Sequence, residues 1–146
     1  AKTSKYSSKE KVETLQSILK EKKIKSIPLK VSAPFHCSLM KPAADNMKDK
    51  IDKTKFINPL YKVVNNVTAN PETNIENIKS LLVKQIFSTV RWRESIINIS
   101  SNGVKNFIEL GPGKVLSGMV KRTIKEANCF SINSITDIKN LTNEFK

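Results

Sequence analysis

Apolar residues recur at helical spacing in six stretches of the 146-residue chain, and shorter apolar runs separate most of these stretches. Apolar positions three and four residues apart predict amphipathic helices. Alternating or continuous short apolar runs predict strands. The helices are predicted over residues 8–23, 39–51, 75–85, 91–101, 115–124 and 136–145, and the strands over residues 27–31, 61–67, 104–110 and 129–132. Helices that alternate with strands predict an α/β fold with parallel strand pairing.

Polar residues, glycine and proline mark where these elements begin and end. Ser7-Ser8-Lys9-Glu10 contains the Ser-x-x-Glu pattern of a capping box, and Ser38 and Asn74 are each expected to cap a helix. Asn102-Gly103 is expected to end a helix in the left-handed conformation. Gly111-Pro112-Gly113 is expected to form a tight turn that joins a strand to the next helix.

The chain is strongly basic, with a formal net charge of +13, but the charge is weak evidence for a nucleic-acid partner. Only Arg91, Arg93 and Arg122 among the 26 basic residues are arginines, the type that reads bases and phosphates through paired hydrogen bonds. The aromatic residues are scattered rather than interleaved with the lysines as a stacking platform requires. We therefore expect no nucleic acid as a partner, although an acidic protein partner fits the charge.

Membrane and metal sites are also not expected from the sequence. No run of 18 apolar residues occurs, so no membrane span is predicted, and the first residues have no apolar signal-peptide core. The two cysteines, Cys37 and Cys129, form no cluster with metal-ligand spacing, so no metal is expected. The default localisation is a reducing cytoplasm. The absence of an initiator methionine suggests a processed or partial chain.

His36, the only histidine, is the main candidate for chemistry. It follows a strand-like run and precedes a helix-like run, and such a junction exposes polar groups at the edge of an open α/β sheet. A histidine titrating near neutrality suits general base catalysis, although a lone histidine is more often structural. The nucleophile elbow G-x-S-x-G does not occur in the sequence, so no serine is identified for His36 to activate. The turn at Gly111-Pro112-Gly113-Lys114 only superficially resembles a phosphate loop, and a simple strand-to-helix joint is favoured.

Four stretches, in order, resemble motifs of bacterial malonyl-CoA:acyl carrier protein transacylases. The first is the histidine segment, residues 31–44, which reads VSAPFHCSLMKPAA. The others are Val63-Val64-Asn65-Asn66-Val67, the segment from Leu82 to Trp92, and residues 109–118, which read ELGPGKVLSG. These motifs cover most of the chain. The compact spacing and the Lys-Pro-Ala-Ala after the histidine favour the stand-alone enzyme over an acyltransferase domain of a polyketide or fatty acid synthase.

The resemblance implies a ping-pong acyl transfer in fatty acid biosynthesis. A serine takes malonyl from coenzyme A and passes it to the phosphopantetheine thiol of acyl carrier protein. His36 matches the histidine that acts as base and acid in each half-reaction. Gln85 matches the position whose main-chain carbonyl orients the imidazole. No cofactor is implied beyond the two thioester substrates, and the implied partners are acyl carrier protein, the coenzyme A thioester and the other half of the enzyme.

The resemblance covers only the C-terminal half of the family. Residues 1–32 are expected to be the end of a small ferredoxin-like subdomain, and residues 33–146 the C-terminal part of a hydrolase-like parallel-sheet core. The family's serine elbow, oxyanion-hole glutamine and malonyl-binding arginine would all precede Ala1. We therefore expect the chain alone to be inactive and to expose apolar surface. Ser88-Thr89 replaces a frequent Asn-Pro, so the turn after Gln85 is expected to differ.

Two other classes of function stay open at this point. The chain could be a non-catalytic remnant or binding module of the acyltransferase superfamily, which differs from the enzyme in whether a serine elbow is supplied elsewhere. A basic nucleic-acid binder is the least favoured class, and salt-sensitive binding to generic DNA or RNA would identify it. Lys23 and Lys25 lie where the family's carrier-docking surface is basic, and a solvated helix end explains them equally well.

Overall fold

The computed structural model describes residues 9–27 and 35–145, with Lys9 described by its backbone only. The chain divides into two compact units. Unit 1 extends to Val67 and also includes residues 71–90, and unit 2 comprises residues 68–70 and the chain from Arg91 onwards. The boundary expected between residues 32 and 33 lies outside the described residues. No helix within the described ranges is long and apolar enough to cross a membrane.

Unit 1 is mainly helical. Its helices are α1 (Lys9–Glu21), α2 (Lys41–Lys53) and α3 (Ile75–Lys84), and a 3-10 turn (Ser38–Met40) precedes α2. Two short strands, β1 (Val63–Val64) and β2 (Pro71–Glu72), form an antiparallel pair. Helix α2 packs against α3. The three helices confirm the predicted helical segments, and Asn74 caps α3 as predicted, because its side chain accepts a hydrogen bond from the amide of Asn77 at 3.0 Å.

Unit 2 is a small α/β layer structure. It contains α4 (Trp92–Ser101), β3 (Asn106–Leu110), α5 (Val115–Thr123), β4 (Asn128–Ile132) and α6 (Ile135–Glu144). Strands β3 and β4 pair in parallel, with Phe107 opposite Cys129 and Ile108 opposite Phe130. This pairing confirms the α/β prediction. The turn at Asn102-Gly103 is also confirmed, since Gly103 has φ of 89° after the end of α4.

The two faces of the β3–β4 sheet are covered differently. Phe107 and Cys129 point to one face, where they pack with the buried side chains of Ile96 in α4 and Val120 in α5. Successive side chains of a strand point to opposite faces, so Ile108, Leu110 and Phe130 lie on the other face. There α6 packs against β4, and Phe145 meets Phe130 edge to face with 5.5 Å between ring centroids. Ile108 and Leu110 stay 49% and 78% exposed, so half of this face is uncovered.

The structure corrects three local predictions. The strand expected over residues 61–67 is reduced to Val63–Val64, because the side chain of Asn65 accepts the amide of Val67 and turns the chain. Ser38 makes no capping bond and starts a 3-10 turn instead, which leads into α2 with Pro42 in its first turn. Helix α6 begins after Ser134, which forms a capping box with Asp137. The strand expected over residues 27–31 and the capping residues Ser7 and Ser8 lie outside the described residues or at their margin.

The N-terminus of α5 is closed by a carboxylate from the preceding strand. Glu109, in β3, accepts hydrogen bonds from the amide of Leu116 at 3.0 Å and the amide of Ser117 at 2.7 Å. Amides in the first turn of a helix have no partner within the helix, so these bonds satisfy otherwise unpaired donors. The amide and hydroxyl of Ser117, followed by the amide of Leu116, hold the pKa of Glu109 below its ordinary value.

Glu109→Gln should lower the stability of the protein at neutral pH. A carboxyl whose pKa is depressed in the folded state stabilises that state above its unfolded pKa of about 4.5, and this contribution is lost as the pH falls through the folded value. The urea midpoint of the variant should therefore lie below that of the native chain at neutral pH and approach it in acid. Glu126→Gln, at an exposed turn residue, is the matched control. An equal gap between Glu109→Gln and the native chain at both pH values would contradict the assignment.

Candidate functional site

His36 lies in a turn immediately before the 3-10 turn and α2. Its backbone is left-handed, with φ of 59°, a conformation that is uncommon for residues other than glycine. The next residue, Cys37, returns to extended geometry and is fully buried. The carbonyl of Cys37 accepts the amide of Met40 at 3.0 Å and so begins the 3-10 turn. Backbone strain of this kind persists where the surroundings over-determine it, and it concentrates at functional sites.

The partner of His36 is the main-chain carbonyl of Gln85, at the C-terminal end of α3. Nδ1 of the imidazole lies 2.9 Å from this oxygen. The carbonyls in the last turn of a helix lack partners within the helix. Here the amides of Ile86, Phe87 and Ser88 turn back to the carbonyls of Val83 and Lys84. The carbonyl of Gln85 is thereby left to face the imidazole.

A polar cluster lies at the N-terminal end of helix α3. Glu72 accepts the amides of Thr73 and Asn74, each at 2.8 Å, and the side-chain amide of Asn77 at 2.9 Å. These bonds, led by that of the Asn74 amide, hold the pKa of Glu72 below its ordinary value. Glu72 therefore stays ionised at neutral pH and caps α3 together with Asn74. The sequence analysis missed Glu72, although a carboxylate two residues before a helix cap is a visible signal.

The tautomer of His36 follows from this geometry. A carbonyl oxygen can only accept a hydrogen bond, so Nδ1 carries the proton when the ring is neutral, and Nε2 is left with its lone pair. The ring is partly buried. No serine or carboxylate side chain among residues 9–27 and 35–145 hydrogen-bonds to it. His36 can therefore accept a proton at Nε2. Among the described residues, no serine is bonded to the ring as a nucleophile that would donate this proton.

The other sequence candidates have structural roles. Gly111 and Gly113 have φ of 129° and 94°, which glycine tolerates, and the amide of Gly113 donates to the side chain of Asn133 at 2.8 Å. Because Glu109 occupies amides at the start of α5, an anion would meet a carboxylate there, which favours the simple joint over a phosphate loop. Trp92 packs against the core of unit 2, and its buried Nε1 has no hydrogen-bond partner among the described residues. An unpaired buried donor costs about 1–3 kcal/mol.

Two cavities in the described part of the chain are lined by residues other than His36 and Gln85. One cavity of about 570 Å³ lies along α1 and the residues after it, and includes Gln16, Lys20 and Ile24 in its lining. A second, of about 490 Å³, lies in unit 2 beside Phe130 and Phe145. Neither is lined by His36 or Gln85. No group of three or more His, Cys, Asp or Glu side chains in the described ranges could hold a metal ion.

Known proteins similar to this chain include malonyl CoA-acyl carrier protein transacylases from several bacteria. The malonyl CoA-acyl carrier protein transacylase of Haemophilus influenzae is 38% identical over 135 residues, which are 92% of this chain and 43% of the relative. The crystal structure of an acyl carrier protein S-malonyltransferase from Vibrio cholerae matches with a TM-score of 0.80 and 40% identity, over 89% of this chain and 43% of that one. A scan against protein-family models finds no match.

A third similar structure is a malonyl-transacylase in complex with its type II PKS acyl-carrier protein in the holo form. It matches with a TM-score of 0.81 and 38% identity, over 92% of this chain and 44% of that one. The chain thus spans about two-fifths of the length of the relatives it matches. By sequence and by fold, the chain is homologous to the C-terminal part of bacterial malonyl CoA-acyl carrier protein transacylases.

Proposed function

We propose that this chain carries the acid–base half of a malonyl-CoA:acyl carrier protein transacylase of fatty acid biosynthesis, acting in the cytoplasm. The observation that supports the proposal most directly is the 2.9 Å contact between Nδ1 of His36 and the carbonyl of Gln85. This contact leaves Nε2 as a proton acceptor at a turn with a strained backbone. Homology to transacylases over most of the chain indicates the reaction in which this proton acceptor would act, which is acyl transfer.

In the proposed mechanism, Nε2 of His36 takes the proton from a serine hydroxyl as its oxygen attacks the thioester carbonyl of malonyl-CoA. The carbon–sulfur bond then breaks, the imidazolium returns the proton to the thiolate of coenzyme A, and malonyl stays on the serine as an ester. The phosphopantetheine thiol of the carrier next gives its proton to Nε2 and attacks this ester. The ester carbon–oxygen bond then breaks, malonyl leaves on the carrier thiol, and the imidazolium returns the proton to the serine oxygen. The carbonyl of Gln85 holds Nδ1–H throughout, so one ring nitrogen faces the reaction.

The serine, the oxyanion-hole donors and the group that binds the malonyl carboxylate come, in this proposal, from polypeptide outside the 146 residues. The relatives are more than twice as long as the matched region, and G-x-S-x-G is absent from this sequence. In this view residues 1–32 are the end of a ferredoxin-like subdomain, and residues 33–146 are part of a hydrolase-like parallel-sheet core. In this proposal the rest of that core covers the exposed side chains of Ile108 and Leu110.

The proposed partners are the two thioester substrates, and both are acidic. Coenzyme A carries phosphates, and a carrier protein of net negative charge is attracted to a chain with a net charge of +13. Lys23 and Lys25 are exposed and follow the end of α1. We include these two lysines in the docking surface for acyl carrier protein. A polyketide-type carrier is the second candidate, because one similar transacylase was solved with a type II PKS carrier.

His36→Ala should abolish transfer in a chimera in which this chain replaces the matching part of the Haemophilus influenzae relative. General acid–base groups typically contribute roughly 10²–10⁴-fold to a rate, so we expect kcat to fall by at least that range. Transfer of malonyl from malonyl-CoA to holo-carrier is the readout. Ser38→Ala, two residues away and exposed, is the control and should keep the rate of the parent chimera.

The same assay on the chain alone should give no turnover. Turnover by the isolated chain that His36→Ala removes would contradict the assignment of the serine to other polypeptide. A folded chimera with no transfer activity would instead favour the non-catalytic alternative. A parent chimera that loses nothing on His36→Ala would remove the basis of the proposal.

Reversing the charge at Lys23 and Lys25 to glutamate should raise the KM of the chimera for acyl carrier protein and leave kcat nearly unchanged. Exposed charges at the rim of an interface mainly change the association rate, and their effect is screened by salt. The effect should therefore shrink as salt is added. Reversal of Lys53 and Lys55, an exposed pair at the end of α2, is the matched control. An unchanged KM for the carrier at low salt would remove Lys23 and Lys25 from the docking surface.

A further inference from the structure

The most buried side chains among the described residues of unit 1 lie in the segment that follows His36. Among the described residues of unit 1, only two are buried, Cys37 and Ala44, and both are 0% exposed. Cys37 directly follows His36, and Ala44 lies in the first half of α2. The eight residues that follow His36 therefore begin and end with a fully buried side chain.

Helices α2 and α3 pack against each other, and the turn before α2 meets the C-terminal end of α3. At one end, His36, which leads into α2, bonds to the carbonyl of Gln85 after the last turn of α3. At the other end lies Asp52, in the last turn of α2. A hydrogen bond from Lys48 is the main cause that lowers the pKa of Asp52, and the charge of Lys79 on α3 lowers it further. Ala44 is the one residue of α2 that is buried between these ends.

Ala44 is small and 0% exposed, so other atoms pack directly against its side chain. A larger side chain at a fully buried helix position overfills the contact and forces the backbone to shift. A shift of α2 moves the turn that carries His36, because only four residues separate the imidazole from the first residue of α2. The left-handed backbone of His36 makes this turn sensitive to such a shift.

We infer that Ala44 is a positioning residue for His36: its small, fully buried side chain sets the spacing of α2 and α3 at which Nδ1 reaches the carbonyl of Gln85. Ala44 acts through the backbone and touches no reacting atom. The consequence for catalysis rests on the proposed function. The positioning of His36 does not, because it determines which nitrogen of the imidazole carries the proton. It can therefore be read without an activity assay.

The test uses Ala44→Leu, with Ala43→Leu as the matched control. Ala43 is the neighbouring residue of the same helix but is exposed, so the same substitution there should not change the helix spacing. The readout is the tautomer of the neutral imidazole, measured by nuclear magnetic resonance on the isotope-labelled full chain. The sequence contains one histidine, so the spectrum shows a single imidazole pattern. Helix content by circular dichroism is recorded alongside.

We expect the native chain and Ala43→Leu to hold the proton on Nδ1, and Ala44→Leu to move it to Nε2 at least in part while helix content is kept. Ala44→Val, a smaller increase in volume, should give an intermediate change and serves if the leucine variant does not fold. A folded Ala44 variant with the native tautomer would overturn the inference, as would an equal change in Ala43→Leu. Loss of helix in both Ala44 variants would also overturn it, because it would show a role in folding rather than in spacing. If the chain passes this test and the folded chimera nevertheless shows no transfer, that result would contradict the proposed function and not the positioning.

Discussion

The hydrogen bond from the imidazole of His36 to the main-chain carbonyl of Gln85 is the interaction on which the candidate site depends. It joins two elements that are 49 residues apart in the sequence and uses a carbonyl that the end of a helix leaves without a partner. It also sets the tautomer of the ring. An oriented neutral carbonyl can set the tautomer without a carboxylate, so catalysis by His36 does not require an Asp or Glu partner.

Burial in the described chain is small and is concentrated where geometry has to be fixed. Among the described residues, unit 1 buries Cys37 and Ala44, both within the eight residues after the histidine, and unit 2 builds its core where α4 and α5 cover one face of a two-stranded sheet. A parallel sheet is ordinarily covered on both faces. Here Leu110, 78% exposed, leaves part of one face open. These features fit a region that shares its hydrophobic core with further polypeptide, as the length of the relatives allows.

Much of the element order could be predicted from the sequence, because periodicity is strong where helices bury one face. The parallel pairing of β3 and β4 followed from their alternation with helices. The short β1–β2 pair was not predictable in its extent, because a side-chain bond from Asn65 competes with the strand. The prediction that Ser38 caps a helix was wrong, because the chain enters a 3-10 turn after the left-handed residue His36.

The site was only partly accessible to sequence reasoning. His36 was found from its uniqueness and its place between a strand-like and a helix-like run, but its carbonyl partner came from a resemblance to a family. No pattern of residue types reveals a main-chain acceptor, since every residue carries one. The burial of Ala44 and the carboxylate caps at Glu72 and Glu109 likewise depend on tertiary contacts.

The most direct test of this account detects the hydrogen bond itself. In the isotope-labelled chain with its imidazole neutral, magnetisation can be transferred across a hydrogen bond from the proton on Nδ1 of His36 to the carbonyl carbon that accepts it. We expect a proton on Nδ1 and a correlation with the carbonyl carbon of Gln85. A proton found only on Nε2, with no correlation to Gln85, would contradict the account.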